Sequence, residues 1–175
     1  MGDWTDLASK IIDKAAILGN NIAMDQGTYC HVIPKAASSP AELRGWTKSS
    51  SAGEPKLHYV DQVHEIPLVG GSLVNPNDLT FGVSWAYGGH WHGKGRYIRD
   101  AHAYCDIKNI SVAQEFDASV HWDEGTYEGP EDDPIVSMSC TITVLWKQFW
   151  LTETNWRVGF TIYGDGRGTR DYWSA

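Results

Sequence analysis

Basic residues are the minority charge in this sequence. Lys and Arg number 14 against 22 Asp and Glu, which gives a net charge of −8 and a pI near 5.2. Because binding to a phosphate backbone requires a basic field, nucleic acid is excluded as the main partner. The same acidity disfavours attraction to anionic lipid, but it leaves a zwitterionic lipid head group or a neutral glycan open as a partner.

Cysteine is scarce, and long apolar runs are absent. The three cysteines, Cys30, Cys105 and Cys140, form no CxxC pair, which predicts reduced thiols in a cytoplasmic product. The acidic start "MGDWTDLASK" does not resemble a signal peptide, and no apolar run approaches the roughly 18 residues of a membrane helix. We therefore expect cytoplasmic synthesis without a signal peptide. If the protein permeabilises membranes, we also expect it to be released from the cell and to lie peripherally on target membranes.

The common catalytic and cofactor motifs are also missing. No G-x-S-x-G elbow exists, and "YGDGRG" at 163–168 lacks the Lys-Ser/Thr of a P-loop, so it predicts a β-turn. The acidic stretch "DEGTYEGPEDDP" at 123–134 lacks the spacing of a calcium loop and predicts a solvated hairpin loop, with weak calcium binding as the alternative. We assign no catalytic residue and expect no cofactor.

What the chain has in abundance is Trp, Tyr and Gly, at 9, 8 and 18 residues. Several segments alternate apolar and polar residues with the period of a half-buried strand, clearest at 79–87, 112–122, 136–147 and 156–163. This pattern predicts one mainly β domain over 1–175, an antiparallel sandwich or barrel. The Ser-, Ala- and Pro-rich residues 35–56 predict a long loop.

One segment has helical periodicity instead. Apolar residues recur at i, i+3, i+4 and i+7 from Trp4 to Ile22, with Asp3 as a plausible N-cap. The pattern predicts an N-terminal amphipathic helix over 1–24. Its apolar face includes Leu7, Ile11, Ile12 and Leu18.

The stretch "SWAYGGHWHGKGRYIRDAHAYCD" at 84–106 concentrates aromatic residues, histidines and glycines. Its glycines predict a turn that ends a strand, and an aromatic loop there can hold a quaternary ammonium or stack on a sugar. Trp85 alternatively continues the inward face of its strand, whereas Trp91 is the best candidate for exposure. The candidate ligand-binding residues are Trp85, Tyr87, His90, Trp91, His92 and Tyr97.

Two further interpretations use the histidines. His90-x-His92 is similar to the first ligands of a metal-binding cupin, but Gly95 and Arg96 occupy the positions of the required Glu, so we assign no metal site. If residues 97–107 pair with 112–122, one sheet surface collects a polar cluster that would suit an enzyme or a ligand-binding barrel. The simpler alternative is a solvated polar face. The cluster consists of Asp100, His102, Asp117 and His121.

An N-terminal amphipathic helix, a β-rich body and a Trp/Tyr-rich segment together resemble the actinoporin-like cytolysins and related fungal lectins and haemolysins. The resemblance implies a β-sandwich whose aromatic cluster, here "SWAYGGHWHGKGRY", binds head groups. It also implies a helix, here "DWTDLASKIIDKAAILGNNI", whose apolar face (Leu7, Ile11, Ile12, Leu18) inserts to build a pore. Unlike typical actinoporins, the chain is acidic and contains cysteines.

These observations rank three function classes. We expect non-enzymatic recognition of a membrane lipid head group or glycan, with membrane permeabilisation where the helix detaches. The second class is a small β-barrel enzyme or ligand-binding protein that uses the His/Asp cluster. The third is a structural or assembly protein that forms homo-oligomers through exposed strands. An amphipathic helix that simply packs on its own sheet is the alternative to insertion.

Overall fold

The computed structural model describes residues 22–24, 30–60, 66–68, 71–73, 78–109, 114–148 and 152–174. Residues 1–21, with Leu7, Ile11, Ile12 and Leu18, lie outside this set, so the predicted insertion of that helix face stays a prediction. The helix was predicted to continue to residue 24, which is wrong at its end. Ile22–Met24 is a strand that pairs with residues 116–118 instead.

The described residues are mainly β, in agreement with the predicted class. The only helical element among them is a 3₁₀ turn at Pro40–Glu42. The strands are β1 (Ile22–Met24), β2 (Cys30–Val32), β3 (Thr47–Lys48), β4 (Lys56–Val60), β5 (Ile66–Leu68), β6 (Gly71–Leu73), β7 (Asp78–Trp91), β8 (Lys94–Asn109), β9 (Gln114–Trp122), β10 (Thr126–Glu128), β11 (Ile135–Gln148), β12 (Thr152–Tyr163) and β13 (Gly168–Ser174).

Apart from the β5–β6 hairpin, these strands form one large sheet. Its main order is β1-β9-β11-β8-β7-β3. Strand β12 pairs with β11 and with β13, β2 pairs with β8, and β4 pairs with β7. Most pairs are antiparallel, as expected, but β1–β9 is parallel and β8 meets β11 in a parallel register. The sheet is therefore mixed. It does not close over the described residues, so they form no barrel.

Backbone hydrogen bonds join the strands around β7 and β8 to those around β11 and β12 at a narrow junction. Arg96 N–H donates to Pro134 O, and Gly164 links the groups because its N–H donates to Val136 O while its carbonyl accepts from Gly88 N–H, both at 2.8 Å. A Cβ at position 164 would collide with the Arg96 backbone. The turn predicted at "YGDGRG" thus requires glycine here for close approach of two backbones.

The core follows the period-two pattern of the sequence. Alternate described residues of β9, β11 and β12, and of β7 as far as Trp85, are buried, which confirms the alternation predicted there; at the end of β7 it fails, because Ala86 is buried and Tyr87 is half-buried. Fully buried examples are Leu79, Phe81, Val83, Ile142, Val144, Val158 and Phe160. Within the described residues, no helix has the length and apolarity to cross a membrane.

Many glycines of the fold lie under aromatic rings. A Cβ added at Gly82, Gly89 or Gly159 would strike the ring of Tyr104, Trp46 or Tyr172, respectively. A glycine in a strand leaves a groove that a neighbouring ring fills, so the ring restores packing that glycine cannot supply. The abundance of Gly and of aromatic residues therefore has, in part, a common structural cause.

Candidate functional site

The histidine- and glycine-rich stretch forms the tip of the β7–β8 hairpin. Trp91 pairs with Lys94, and only His92 and Gly93 make the turn, with φ of 50° and 81°. Positive φ at both central residues is the geometry of a tight type I′-like hairpin turn. The glycines of this stretch were expected to form a turn at 88–95, which is wrong for Gly88, Gly89 and Gly95, because these residues lie in the strands.

The six predicted aromatic and histidine residues differ widely in exposure. Trp85 and Tyr97 are buried, and the Trp85 indole N–H donates to Tyr163 O at 3.1 Å, so Trp85 follows the inward alternative. Tyr87, His90 and Trp91 are half-buried, and His92 is exposed at the turn. The six residues therefore do not form one continuous exposed aromatic surface.

The predicted polar cluster is divided between two strands that do not pair with each other. β8, which carries Asp100 and His102, pairs with β7, with β2 and at one position with β11, whereas β9, which carries Asp117 and His121, pairs with β1 and β11. The predicted pairing of 97–107 with 112–122 is therefore wrong. β8 pairs with the preceding strand β7 instead, and β9 pairs with β11 and β1, which are distant in the sequence; alternation alone does not indicate these partners.

A β-bulge places Asp100 beside His102. Ser84 pairs with His102 and Ala86 pairs with Arg99, so the two residues between them on β8 oppose the single Trp85. Asp100 takes up the extra length with φ of 53°, a left-handed conformation that Asp tolerates better than most residues. Its carbonyl lies 3.1 Å from His102 Nδ1, which fixes the imidazole against the bulge.

Asp100 and His102 line a cleft of about 300 Å³ on the outer side of β3, β7 and β8. This volume lies at the lower end of the range of small-molecule sites, so a compact ligand fits it. The remaining lining residues are Lys48, Ser84, Trp85 and Ala86. We call this site the β3–β7–β8 cleft.

A chain of hydrogen bonds holds the floor of the cleft. Ser49 donates to Glu54 Oε1 at 2.8 Å, and Tyr104 donates to Glu54 Oε2 at 2.9 Å. Since the Ser49 proton is engaged, Ser84 is the donor in the 3.2 Å contact between the two serine hydroxyls. Ser84 therefore keeps oxygen lone pairs with which to accept a hydrogen bond in the cleft.

The charged lining residues carry opposite signs. Lys48 supplies a cation and Asp100 a carboxylate, and both side chains are exposed at the rim. Behind Asp100, Arg99 Nε lies 3.3 Å from its Oδ2, while the guanidinium stacks 4.8 Å from the Trp46 ring. Cation–π stacking therefore holds Arg99 beside the Asp100 carboxylate, where its charge partly offsets that of Asp100.

The three cysteines lie outside the lining of the cleft. Burial raises the pKa of the Cys105 and Cys140 thiols to about 12, so neither is a ready nucleophile at neutral pH. Burial also raises the pKa of Cys30. Among the residues that the structure describes, no three His, Cys, Asp or Glu side chains gather as a metal site.

Sequence reasoning found half of the cleft. Trp85 came from the predicted aromatic set, and Asp100 and His102 from the predicted polar set, but Lys48, Ser84 and Ala86 were missed. Lys48 lies in the short strand β3 within residues 35–56, where "WTKSSS" shows no alternation. Ser84 was predicted only to lie on the polar side of its strand, and this position in the alternation was the one feature of the sequence that indicated it.

Comparisons with known proteins add no constraint to this site. No protein-family model, no curated protein and no solved structure matches the chain.

Proposed function

We propose that this protein is a non-enzymatic recognition protein that binds a small zwitterionic group in the β3–β7–β8 cleft. The observation that carries the proposal is the presence of Lys48 and Asp100 on the same cleft, beside His102 and Ser84. Lys48 is suited to a phosphate, and Asp100 to an ammonium group that donates hydrogen bonds.

The chemistry of the cleft favours a primary ammonium over a quaternary one. Quaternary ammonium groups are recognised by exposed aromatic faces. Trp85, the aromatic residue of the cleft, has only 2% of its surface exposed, so it offers little of its face. We therefore propose phosphoethanolamine as the matching group, supplied either by a membrane lipid or by a soluble metabolite.

The sandwich arrangement that would present this cleft is part of the same proposal. We infer that the β7–β8 and β11–β12 groups face each other as two layers. Phe81 of β7 packs edge-on against Trp156 of β12 at 5.2 Å, and Tyr59 of β4 stacks on the same indole at 5.5 Å. In such a sandwich the cleft lies on an outer face, open to a ligand. A family relationship to the actinoporin-like proteins, and a pore built by residues 1–21, remain proposals that this arrangement accommodates.

Calorimetric titration with soluble O-phosphoethanolamine tests the binding site. We expect Asp100→Asn and Lys48→Ala each to weaken binding about 10- to 100-fold, because a charged hydrogen bond contributes about 1.5–3 kcal/mol. Asn tolerates the positive φ of position 100, so the bulge is retained. Asp132→Asn and Lys35→Ala, which change exposed residues away from the cleft, are the matched controls.

Vesicle co-sedimentation distinguishes the two sources of the group. Retention on phosphatidylethanolamine vesicles, but not on phosphatidylcholine vesicles, identifies the lipid head group as the target. Binding only to soluble O-phosphoethanolamine identifies a free metabolite. Absence of binding to either form, or equal binding by Asp100→Asn and wild type, would refute the proposal.

A further inference from the structure

A second surface lies on the outer face of β11, β12 and β13. Tyr172 of β13 pairs with Gly159 of β12, which in turn pairs with Thr141 of β11. The Tyr172 ring passes over Gly159, where a Cβ would collide with it, and its hydroxyl lies 2.9 Å from Thr141 Oγ1. The side chain therefore spans β12 and lies along the sheet, held at both ends.

This ring is unusually open to solvent for a side chain held so firmly. Tyr172 is 46% exposed. One side of its ring covers the glycine, so the other side faces outward. Since the hydrogen bond and the glycine groove already fix the ring, a ligand that stacks on it pays little additional conformational entropy.

A polar network borders the ring. Ser139 and Thr161 are in hydrogen-bond contact at 3.0 Å, Thr161 donates to Asp171 Oδ2, and Thr169 donates to Asp171 Oδ1 at 2.7 Å. Asp171 is the extra residue of a register shift, since Gly159 pairs with Tyr172 and Phe160 with Arg170. Each carboxylate oxygen accepts one of these bonds and keeps lone-pair capacity for another donor.

The surroundings of Tyr172 argue for a polar ligand with one apolar face. Trp173, the neighbouring exposed aromatic residue, pairs with Val158 and lies 4.4 Å from the Trp156 ring, so it belongs to the opposite face of the strand. Tyr172 is thus a flat aromatic ring among hydroxyl and carboxylate groups. An apolar peptide or acyl chain would displace water from the Asp171 carboxylate without offering it a further donor, whereas a sugar ring has both an apolar C–H face and hydroxyl donors.

We propose that this tyrosine platform, composed of Tyr172, Gly159, Thr141, Thr161 and Asp171, is a carbohydrate-binding surface. The C–H face of a pyranose stacks on the Tyr172 ring, and sugar hydroxyls donate to the Asp171 carboxylate. The surface shares no residue with the β3–β7–β8 cleft. Its proposal therefore does not depend on the binding of phosphoethanolamine.

Titration of the intact chain with cellohexaose, chitohexaose, maltohexaose and mannohexaose tests the proposal, with binding followed by ligand-observed NMR. We expect at least one of these oligosaccharides to bind, and Tyr172→Ala to weaken that binding at least about tenfold, as for loss of a central aromatic anchor. Tyr127→Ala is the matched control, because Tyr127 is equally exposed at 50% and its hydroxyl also donates a hydrogen bond, to Ile33 O.

Asp171→Asn keeps the shape of the platform, so it tests the proposal even where Tyr172→Ala does not fold. It is expected to weaken the same sugar by several-fold while the thermal transition of the protein changes little. If the platform serves only to pack against Gly159, the substitutions would change the stability of the protein and leave its affinity for the sugar unchanged. Binding to none of the four oligosaccharides, or equal losses in Tyr172→Ala and Tyr127→Ala, would overturn the proposal.

Discussion

Two tyrosines lie over glycines in the same way, yet they face different surroundings. Tyr104 covers Gly82 between β8 and β7, and Tyr172 covers Gly159 between β13 and β12. Glu54, from the turn before β4, accepts the Tyr104 hydroxyl, and that ring is half-buried. The Tyr172 hydroxyl is in hydrogen-bond contact with Thr141 of the same sheet, and Tyr172 remains 46% exposed.

The difference shows what a glycine opposite a tyrosine specifies. The pair sets the position of the ring, because the ring fills the groove that glycine leaves. A third segment decides whether the ring becomes part of the packed interior or a surface for recognition. At Tyr104 that segment is the 50–54 turn, which also supports the floor of the cleft through Ser49.

The largest effect should come from adding a methyl group under the Tyr104 ring, and the same change under Tyr172 is its comparison. In Gly82→Ala the new Cβ would lie 2.6 Å from the Tyr104 hydroxyl oxygen, so the ring must move and leave Glu54. We expect a loss of about 1–3 kcal/mol in the free energy of unfolding. In Gly159→Ala the exposed Tyr172 ring swings into solvent, and we expect a loss below about 1 kcal/mol. Urea denaturation measures both, and equal losses would contradict the comparison.

A smaller effect should follow from removing the hydroxyl of the half-buried Tyr104. Tyr104→Phe leaves Glu54 without one donor, and we expect a loss of about 0.5–1.5 kcal/mol at pH 7. Urea denaturation of the variant and of wild type at that pH provides the measurement. An unchanged free energy of unfolding would mean that the Tyr104–Glu54 bond contributes no stability.

The same variant should change the response to alkali. Burial and the bond to Glu54 raise the pKa of Tyr104 well above its ordinary value. The unfolded chain therefore loses this proton first, near pH 10, and the free energy of unfolding falls as pH rises above that value. Tyr104→Phe lacks this contribution, so its loss between pH 9 and pH 11 should be smaller than that of wild type. Cys105 and Cys140, whose pKa is raised to about 12, add the same alkaline loss to both proteins, so they cancel in the difference.

The smallest effect should come from the exposed hydroxyl. Tyr172→Phe and Thr141→Val each remove the 2.9 Å contact between these side chains but keep the ring over Gly159. We expect the free energy of unfolding to change by less than about 0.5 kcal/mol, as for most surface substitutions. Thermal denaturation of the two variants is sufficient to test this. A loss as large as that of Tyr104→Phe would show that the two rings are equally integrated.

The strands were predictable, but their neighbours were not. Alternation at Leu79, Phe81 and Val83 correctly placed these side chains in the core, because burial on one face imposes a period of two. The same alternation in β8 and β9 was compatible with a hairpin that does not form. Pairing depends on contacts between residues far apart in the chain, and local periodicity carries no record of them.

The candidate site shows the same division. Asp100 and His102 were singled out from the parity of β8, and they do lie together, because both belong to one strand. Asp117 and His121 were assigned to the same cluster only through the wrong pairing. Lys48 was not predicted as a site residue, because the two residues of β3 are too few to show an alternating pattern.

By itself, the sequence determined the mainly β class, the inward faces of the long strands and the acidic character of the chain. These properties depend on composition and on the two-residue repeat of a strand, both of which are local. The tertiary structure alone decided which glycine received which ring, which side chains met in the β3–β7–β8 cleft, and which tyrosine remained open to solvent. Those outcomes depend on strand register and on covering segments, and both arise only when distant parts of the chain pack together.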